Sequence, residues 1–389
     1  MKKILVVYDY LQIGGIATYL LELLNSIDKT ANEVTLLLKD VDKKVLERIP
    51  EQVKVVRLPE ISRFKKYFFF VFCGGAISAI RLFFQKKFGS KKKQVSGSCV
   101  QTLQLIGAKH SRSHNVPYDV AIGADLYWPN YYTIYKVSAA RKYIWIHPQY
   151  CALGNNRRKD EKVFRRAEKI FAVSEHNAEI LKKFFPSLSH QIDYFENILD
   201  PDTIINRSLT EGVPSFESDK FNIVTVCRLD NSSKRLDRCI TCAKILCKSG
   251  LDFVWRIIGD GGDRNYIEKL ISDARLEERV ILMGARENPF PYVRASDAFV
   301  LLSQYEGVPL VVTEAMILGV PVVVSAYESA SSQVPIECGK IVPNEDGEGP
   351  QQAADFLTEL ASNPKQISYH HTNERSIEKL KNILEGADG

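Results

Sequence analysis

The chain reads as an α/β protein built from two doubly wound, parallel-sheet domains, and three observations lead there. Short apolar runs that suit buried strands alternate with longer stretches of helical periodicity, and Gly or Pro punctuates the joins. At 389 residues the chain is too long for one ordinary core. Residues 201–219, which hold Pro201, Pro214 and many polar side chains, separate the first series of runs from the second. The expected division is therefore a first domain over 1–200, a linker over 201–219, a second domain over 220–365, and a last segment over 366–389 carrying a helix from about Glu374 to Leu384. With 45% hydrophobic and 25% charged residues the composition is globular.

The first series opens with Lys2 to Tyr8, a buried strand. The turn Gln12-Ile13-Gly14-Gly15 follows, then a helix from Ile16 to Ile27. Gly14 and Gly15 let backbone amides approach a ligand closely, and they serve a tight turn equally well. Strands are expected at Glu33–Leu38, Val53–Leu58, Asp119–Gly123 and Lys142–His147, then at Lys169–Ser174 before a helix from Glu175 to Phe185. His147 closes its strand at the carboxyl end, where open α/β sheets collect ligands; a lone His is also commonly structural. Lys2-Lys3 leads into only five apolar residues, so no signal peptide is read. Eight cysteines without one suit a reducing compartment. Cys239, Cys242 and Cys247 lie on an amphipathic helical stretch with no second CxxC or His pair, which favours buried thiols over zinc.

Charge is uneven. Residues 61–118 contain eleven Lys and Arg and no Asp or Glu, so the remainder carries +5 − 11 = −6. Within this segment Tyr67 to Ile80 gives fourteen uncharged residues, short of the roughly 20 that span a bilayer. Aromatics flanked by cations suit a helix lying in an anionic membrane surface, and equally a core helix with a solvated basic end. The place expected for the protein is cytoplasmic, extended by the membrane reading to the inner face of the plasma membrane.

The second series starts at Phe221–Cys227 and runs into Arg228-Leu229-Asp230-Asn231-Ser232-Ser233-Lys234. Phe253–Ile258 ends in Gly259-Asp260-Gly261-Gly262, Val280–Ala285 carries Gly284, and Ala298–Ser303 leads into Tyr305-Glu306-Gly307-Val308-Pro309-Leu310. A helix is expected from Val311 to Leu318, stopping at Gly319-Val320-Pro321, with Pro309 suited to its first turn. Glu306 then lies in the loop before the helix and Glu314 roughly 7.5 Å along it. Between them are unpaired N–H groups of Gly307, Val308 and Leu310 and the positive end of the helix dipole. Two carboxylates flanking an anion site fit a ligand with hydroxyls at both ends and phosphate in the middle, the description of a nucleotide sugar.

This string resembles the E-x7-E signature of retaining glycosyltransferases of family 4, with Glu-Gly-Val-Pro-Leu and Glu-Ala-Met-x-x-Gly-Val-Pro-Val-Val agreeing around it. The resemblance covers nearly the whole chain, strongly over about 221–343. It implies the GT-B fold, two Rossmann-like domains facing across a cleft with the last helix crossing back onto the first. It also implies retaining transfer of a sugar from a nucleotide-sugar donor. In such a family Glu306 contacts the donor sugar and Glu314 the ribose. Arg228 and Lys234 hold the diphosphate, Gly14 and Gly15 face it, and Gly259, Asp260 and Gly261 lie beside the nucleotide. Residues near Gly284 border the base, and His147 stands near the acceptor and the donor sugar. The family pattern is departed from at Cys227 and Ile198, where Gly is usual, and at Pro148, where an acidic residue often follows the His.

The resemblance implies no metal, since the cations and helix amides replace it, and no cofactor beyond the co-substrate. Asp40-Val41-Asp42 and Asp200-Pro201-Asp202 would suggest a metal-dependent transferase only in another context. The acceptor expected is a glycan or lipid-linked sugar of the cell envelope or capsule, the donor a uridine diphosphate sugar. No nucleic-acid partner is expected, and neither G-x-G-x-x-G nor a Walker loop occurs. Two other readings stay open: a non-catalytic, membrane-associated partner subunit of a glycosyltransferase, and a nucleotide-sugar epimerase of GT-B-like fold.

Overall fold

A computed structural model of the chain describes residues 1–12, 15–58, 97–209, 216 and 219–386. The chain divides into two compact units, Met1–Leu199 with Asn373–Gly389, and Asp200–Thr372. In the first, the strands are β1 (Lys2–Val7), β2 (Tyr10–Leu11), β3 (Asn32–Leu38), β4 (Asp40–Val41), β5 (Lys54–Arg57), β6 (His114–Gly123), β7 (Val137–Ile146), β8 (Lys169–Ala172) and β9 (Ile192–Tyr194). Seven of them form one parallel sheet in the order β5-β3-β1-β6-β7-β8-β9. Ile4, Leu5, Val6 and Val7 are all fully buried. That explains the unbroken apolar run: a parallel sheet is covered on both faces, so its strands do not alternate. Ala121, Ile144 and Ile170 join Leu5 and Val7 in the core, packed by Trp128, Tyr131, Tyr132 and Phe164. Each of the larger side chains contributes about 1.5–3 kcal/mol by leaving water.

The second unit repeats the plan with β10 (Phe221–Val226), β11 (Phe253–Ile258), β12 (Val280–Gly284), β13 (Ala298–Leu301), β14 (Val322–Ser325) and β15 (Gly339–Val342). Their order is β12-β11-β10-β13-β14-β15, again parallel throughout. In its core the Trp255 indole donates to Thr225 Oγ1 at 3.0 Å and Thr225 donates to the Val300 carbonyl at 2.7 Å. A buried polar chain of that kind is tolerated because each donor has its acceptor.

In both sheets the first strand is an interior one and the order of strands reverses beside it, between β1 and β6 and between β10 and β13. These are topological switch points, where the carboxyl ends of strands leave a crevice.

Three boundaries differ from the sequence expectation, those of residues 201–208 and the starts of β6 and β7. Pro201–Ser208 is helix, not linker: Asp200 caps it by accepting from the Asp202 amide at 3.1 Å, Ile204 is buried, and the Arg207 carbonyl accepts from Asn288 at 2.7 Å. Asp-Pro opens a helix as readily as it opens a loop, so polar composition misleads there. The last helix, Glu374–Glu385, packs into the first unit, where the Leu384 carbonyl accepts from Lys2 at 2.9 Å and Lys379 meets Asp193 at 2.8 Å. Strands β6 and β7 are each ten residues long, their polar amino ends concealing the first half. Among the described residues no helix is long and apolar enough to cross a membrane. The Tyr67–Ile80 run lies outside the described residues, and the described end of that basic segment is helix Gly97–His110.

Candidate functional site

At the second unit's switch point two loops meet. From β10 the chain passes Arg228 to Asp230, which caps the short helix Asn231–Lys234 by accepting from the Ser232 amide at 3.1 Å and the Ser232 hydroxyl at 2.6 Å. Lys234, at the end of that turn, donates to Glu306 Oε1 at 2.5 Å, and the Ser303 hydroxyl donates to the same oxygen at 2.6 Å. The Lys234 and Glu306 side chains are 19% and 10% exposed, so the pair is largely enclosed. Arg228 is 70% exposed and meets Asp230 at 3.4 Å. The two cations expected at one phosphate group therefore differ: one is seated on a carboxylate and the other reaches into solvent.

Beyond Glu306, Gly307 and Val308 lead to helix Leu310–Ile317, with Pro309 at its cap (φ −69°, ψ 111°) and not inside its first turn. The first N–H groups of the helix have no acceptor within it. The carbonyls of the turn are tied off instead. Ser329 donates to Gly307, while Gln333 donates to the Pro309 carbonyl at 2.9 Å and is held by the Tyr327 hydroxyl at 2.8 Å. Glu314 is 6% exposed, an inward carboxylate of this helix.

The glycine loop is stitched to the Arg228 loop through the backbone. Leu229 donates to the Asp260 carbonyl at 3.0 Å, and Gly259 donates to the Gly284 carbonyl at 3.0 Å. Gly259 has φ +141°, and a Cβ there would collide with the Cys227 carbonyl oxygen; one at Gly261 would collide with that of Leu229. Gly284 has φ +72°. Arg228, Lys234, Gly259, Asp260, Gly261, Gly284, Glu306 to Leu310 and Glu314 thus belong to one rim of one sheet.

His147 belongs to the first unit, as does Gly15 at the start of helix Gly15–Ser26; Gly14 lies outside the described residues. The His147 ring meets the Ala124 carbonyl at 3.1 Å through Nε2 and packs edge-on against Tyr19 at 4.4 Å. A carbonyl only accepts, so Nε2 carries the proton. Burial pushes the His147 pKa down to about 4 against the pull of that hydrogen bond, leaving a neutral ring at pH 7. Beside it, burial pushes Asp125 up to about 7, with the Leu126 amide opposing the effect and the Asp9 charge adding to it. The Tyr19 hydroxyl is buried with no hydrogen-bond partner among the described residues, and Asp9 pairs with Lys39 at 2.6 Å.

Asp125 and Tyr19 escape sequence reading because neither belongs to a motif; Asp125 is marked only by following a strand's end. In the second unit Ser303, Gln304, Arg235, Arg238, Asn344 and Asp346 escape it too. The available signal is Arg238, a charge on the inward face of a helix (Leu236–Lys248) otherwise lined by Leu236, Cys239, Ile240, Cys242, Ala243 and Leu246. Cys247 on that helix is exposed, unlike Cys239 and Cys242. No metal-holding cluster occurs among the described residues. The Asp-x-Asp strings serve as caps, with Asp42 accepting from the Lys44 amide at 2.9 Å and Asp200 from Asp202.

Residues 209–378 match the family described as glycosyl transferases group 1. A Campylobacter jejuni N-acetylgalactosamine-N,N'-diacetylbacillosaminyl-diphospho-undecaprenol 4-alpha-N-acetylgalactosaminyltransferase is 27% identical over 172 residues, 44% of this chain and 45% of that one. An Escherichia coli UDP-Gal:alpha-D-GlcNAc-diphosphoundecaprenol alpha-1,3-galactosyltransferase is 38% identical over 86 residues, 21% of this chain and 22% of that one. The chain spans less than half the length of the curated relatives it matches. Among solved structures, a mutant of S. aureus TarM in complex with Fondaparinux, alpha-GlcNAc-glycerol and UDP superposes with a TM-score of 0.63 at 14% identity, over 99% of this chain and 100% of that one. That likeness establishes the fold.

Proposed function

We infer from the GT-B fold and from the match of residues 209–378 to the family of glycosyl transferases group 1 that the protein is a retaining glycosyltransferase. It moves a sugar from a nucleotide-sugar donor, a uridine diphosphate sugar, to a hydroxyl of a glycan or lipid-linked acceptor in cell-envelope or capsular polysaccharide synthesis. The observation that carries this reading is the Lys234–Glu306 pair at the second switch point, 2.5 Å apart and beside the helix that begins at Leu310. A carboxylate and a cation held in contact suit the two ends of the bond that breaks, between the anomeric carbon, which gains positive charge, and the phosphate, which gains negative charge. Groups fixed in advance for charges that grow in the transition state lower its energy most.

In this reading Lys234 and Arg228 bind the leaving diphosphate, the helix amides of Gly307, Val308 and Leu310 add dipoles, and Glu306 orients the sugar. Glu314 takes the ribose. Gly259 to Gly261 and Gly284 admit the nucleotide closely, and no metal is required. His147, neutral at pH 7, acts near the acceptor hydroxyl as a hydrogen-bonding group. The relatives' names, which speak of diphosphoundecaprenol-linked acceptors and alpha linkages, support the acceptor class and the stereochemistry.

The test is a panel of nucleotide sugars offered with and without lipid-linked and free glycan acceptors, in the presence of excess chelator. Acceptor-dependent release of nucleoside diphosphate, with the anomeric configuration kept, is expected. Isomerised donor without acceptor would make the protein an epimerase, no turnover of any donor would favour a non-catalytic subunit, and loss to chelator with manganese rescue would overturn metal independence.

A further inference from the structure

Arg238 is 4% exposed on a helix whose inward face is otherwise apolar. A buried cation is costly, and a well-packed apolar side chain of similar size often stabilises a core better. What this one does with its donors is therefore informative. Its Nε donates to Asp346 Oδ1 at 2.9 Å, one terminal nitrogen to Asn344 Oδ1 at 2.5 Å, and the other to Gln304 Oε1 at 2.8 Å. All three acceptors stand in loops that leave the carboxyl ends of β13 and β15, on the rim that carries Glu306.

Gln304 is where these contacts converge. Its amide donates to the Ser233 carbonyl at 2.8 Å, its carbonyl accepts from Asn344 at 3.0 Å, and its side-chain oxygen accepts from both Arg238 and Arg235, the latter at 3.1 Å. Ser233 immediately precedes Lys234, and Gln304 lies two residues before Glu306. Arg235, directly after Lys234, sits in the left-handed region (φ 47°, ψ 49°), which is unfavourable for a side chain of its kind. Its guanidinium is nonetheless anchored to Asp237 at 2.9 Å and Asp346 at 2.6 Å. Hydrogen bonds from Arg238, joined by those of Arg235, hold the Asp346 carboxyl below its ordinary range although it is exposed.

We propose that Arg238 is a positioning residue: acting through Gln304, and with Arg235 and Asp346 closing the same clamp, it sets the register between the loop that carries Lys234 and the loop that carries Glu306. Resting on the donor reading above, the consequence is that a group outside the pair fixes how the diphosphate is held. A carboxamide shared by two arginines transmits any shift of one loop to the other.

The experiment compares wild type with Arg238→Lys, Lys234→Ala, their double variant, and Asp346→Asn, whose change at an exposed position spares the core. Amide hydrogen exchange is read first. Arg238→Lys is expected to speed exchange about tenfold or more at Gln304 and at Ser233 and Lys234 together, leaving helix Glu348–Ser362 unaltered, and Asp346→Asn to do the same more weakly. Unchanged protection at Ser233 and Lys234 would overturn the clamp. UDP binding by calorimetry is read second. Arg238→Lys should weaken it about tenfold in the wild-type background and less than about twofold when Lys234 is already Ala. Equal losses in both backgrounds would make Arg238 merely structural and overturn the proposal. A wild-type protein that binds none of UDP, GDP and ADP would sink the donor reading instead, and hydrogen exchange would then judge the clamp alone.

Discussion

The two switch points share one topology and have opposite electrostatics. At the second, between β10 and β13, charged groups are paired: Lys234 with Glu306, Arg235 with Asp237 and Asp346, and Asp230 under a cluster of Ser donors. At the first, between β1 and β6, burial drives titratable groups toward neutrality, with His147 down to about 4 and Asp125 up to about 7, and burial also raises Tyr8 and Tyr19. A crevice at the carboxyl end of a parallel sheet therefore has no inherent ligand. Whether the side chains placed there are paired or desolvated sets the chemistry each crevice offers.

The largest test of this contrast is Glu306→Gln. Loss of a preplaced charge should cost about 10²–10³ in turnover and leave Lys234 enclosed without its carboxylate. Glu314→Gln should instead raise the Michaelis constant for the donor more than it lowers turnover. Steady-state kinetics with the true donor would show whether that division holds; full turnover in Glu306→Gln would remove the second switch point from the chemistry.

A smaller effect sharpens the description of the first. Between about pH 4 and 7 folded Asp125 holds a proton that the unfolded chain has lost, so its contribution to stability falls as pH rises. His147 does the reverse: from about pH 4 to 6.5 the unfolded chain is protonated and the folded ring is not, so stability rises with pH. The two slopes oppose each other and mask one another in the wild type. Asp125→Asn should tilt the curve of stability against pH upward over this window, and His147→Asn should tilt it downward. At full span the tilt should be on the order of 4 kcal/mol for Asp125→Asn and on the order of 3 kcal/mol for His147→Asn. Denaturant melts at half-unit pH steps would show it; parallel curves for all three proteins would mean the crevice is not desolvated.

The smallest effect separates backbone from side chain beside Lys234. Arg235→Gly relieves a left-handed residue of about 1 kcal/mol of strain while losing its ion pairs, whereas Arg235→Ala loses the pairs and keeps the strain. The Gly variant should therefore be about 1 kcal/mol more stable than the Ala variant in denaturant melts, and a lower value for Gly would show that the left-handed turn costs nothing here.

The rim of the second sheet is largely legible in the sequence because its residues are local. Arg228, Lys234, Glu306 and Glu314 sit in short strings between an apolar strand and a helix, and those strings encode turn, cap and charge together. The glycines at 259 and 261 are equally readable, since close backbone approach leaves few alternatives, and Gly284 through its left-handed conformation. Pairing across distance is not readable in this way. Nothing near Gln304 reveals that two arginines almost seventy positions earlier share its oxygen, and nothing in Gly-Ala-Asp marks Asp125 as half-buried next to the carbonyl that meets His147. Helix Pro201–Ser208 is hidden for a different reason, because a capping Asp and a Pro are also what a linker contains.

The last helix has a consequence for biosynthesis. Residues 374–385 complete the first unit through Lys2, Arg141 and Asp193, so the polypeptide enters and leaves the second unit as an insertion. A ribosome that has released the first two hundred residues has released a unit still missing one wall, with the Lys2 ammonium and the Asp193 carboxylate facing water. The second unit, contiguous in the chain, can close first. The rim bearing Lys234 and Glu306 would then be assembled on a nascent chain while the first unit waits for residue 385, and truncation just before Asn373 should strand the molecule in that half-built form.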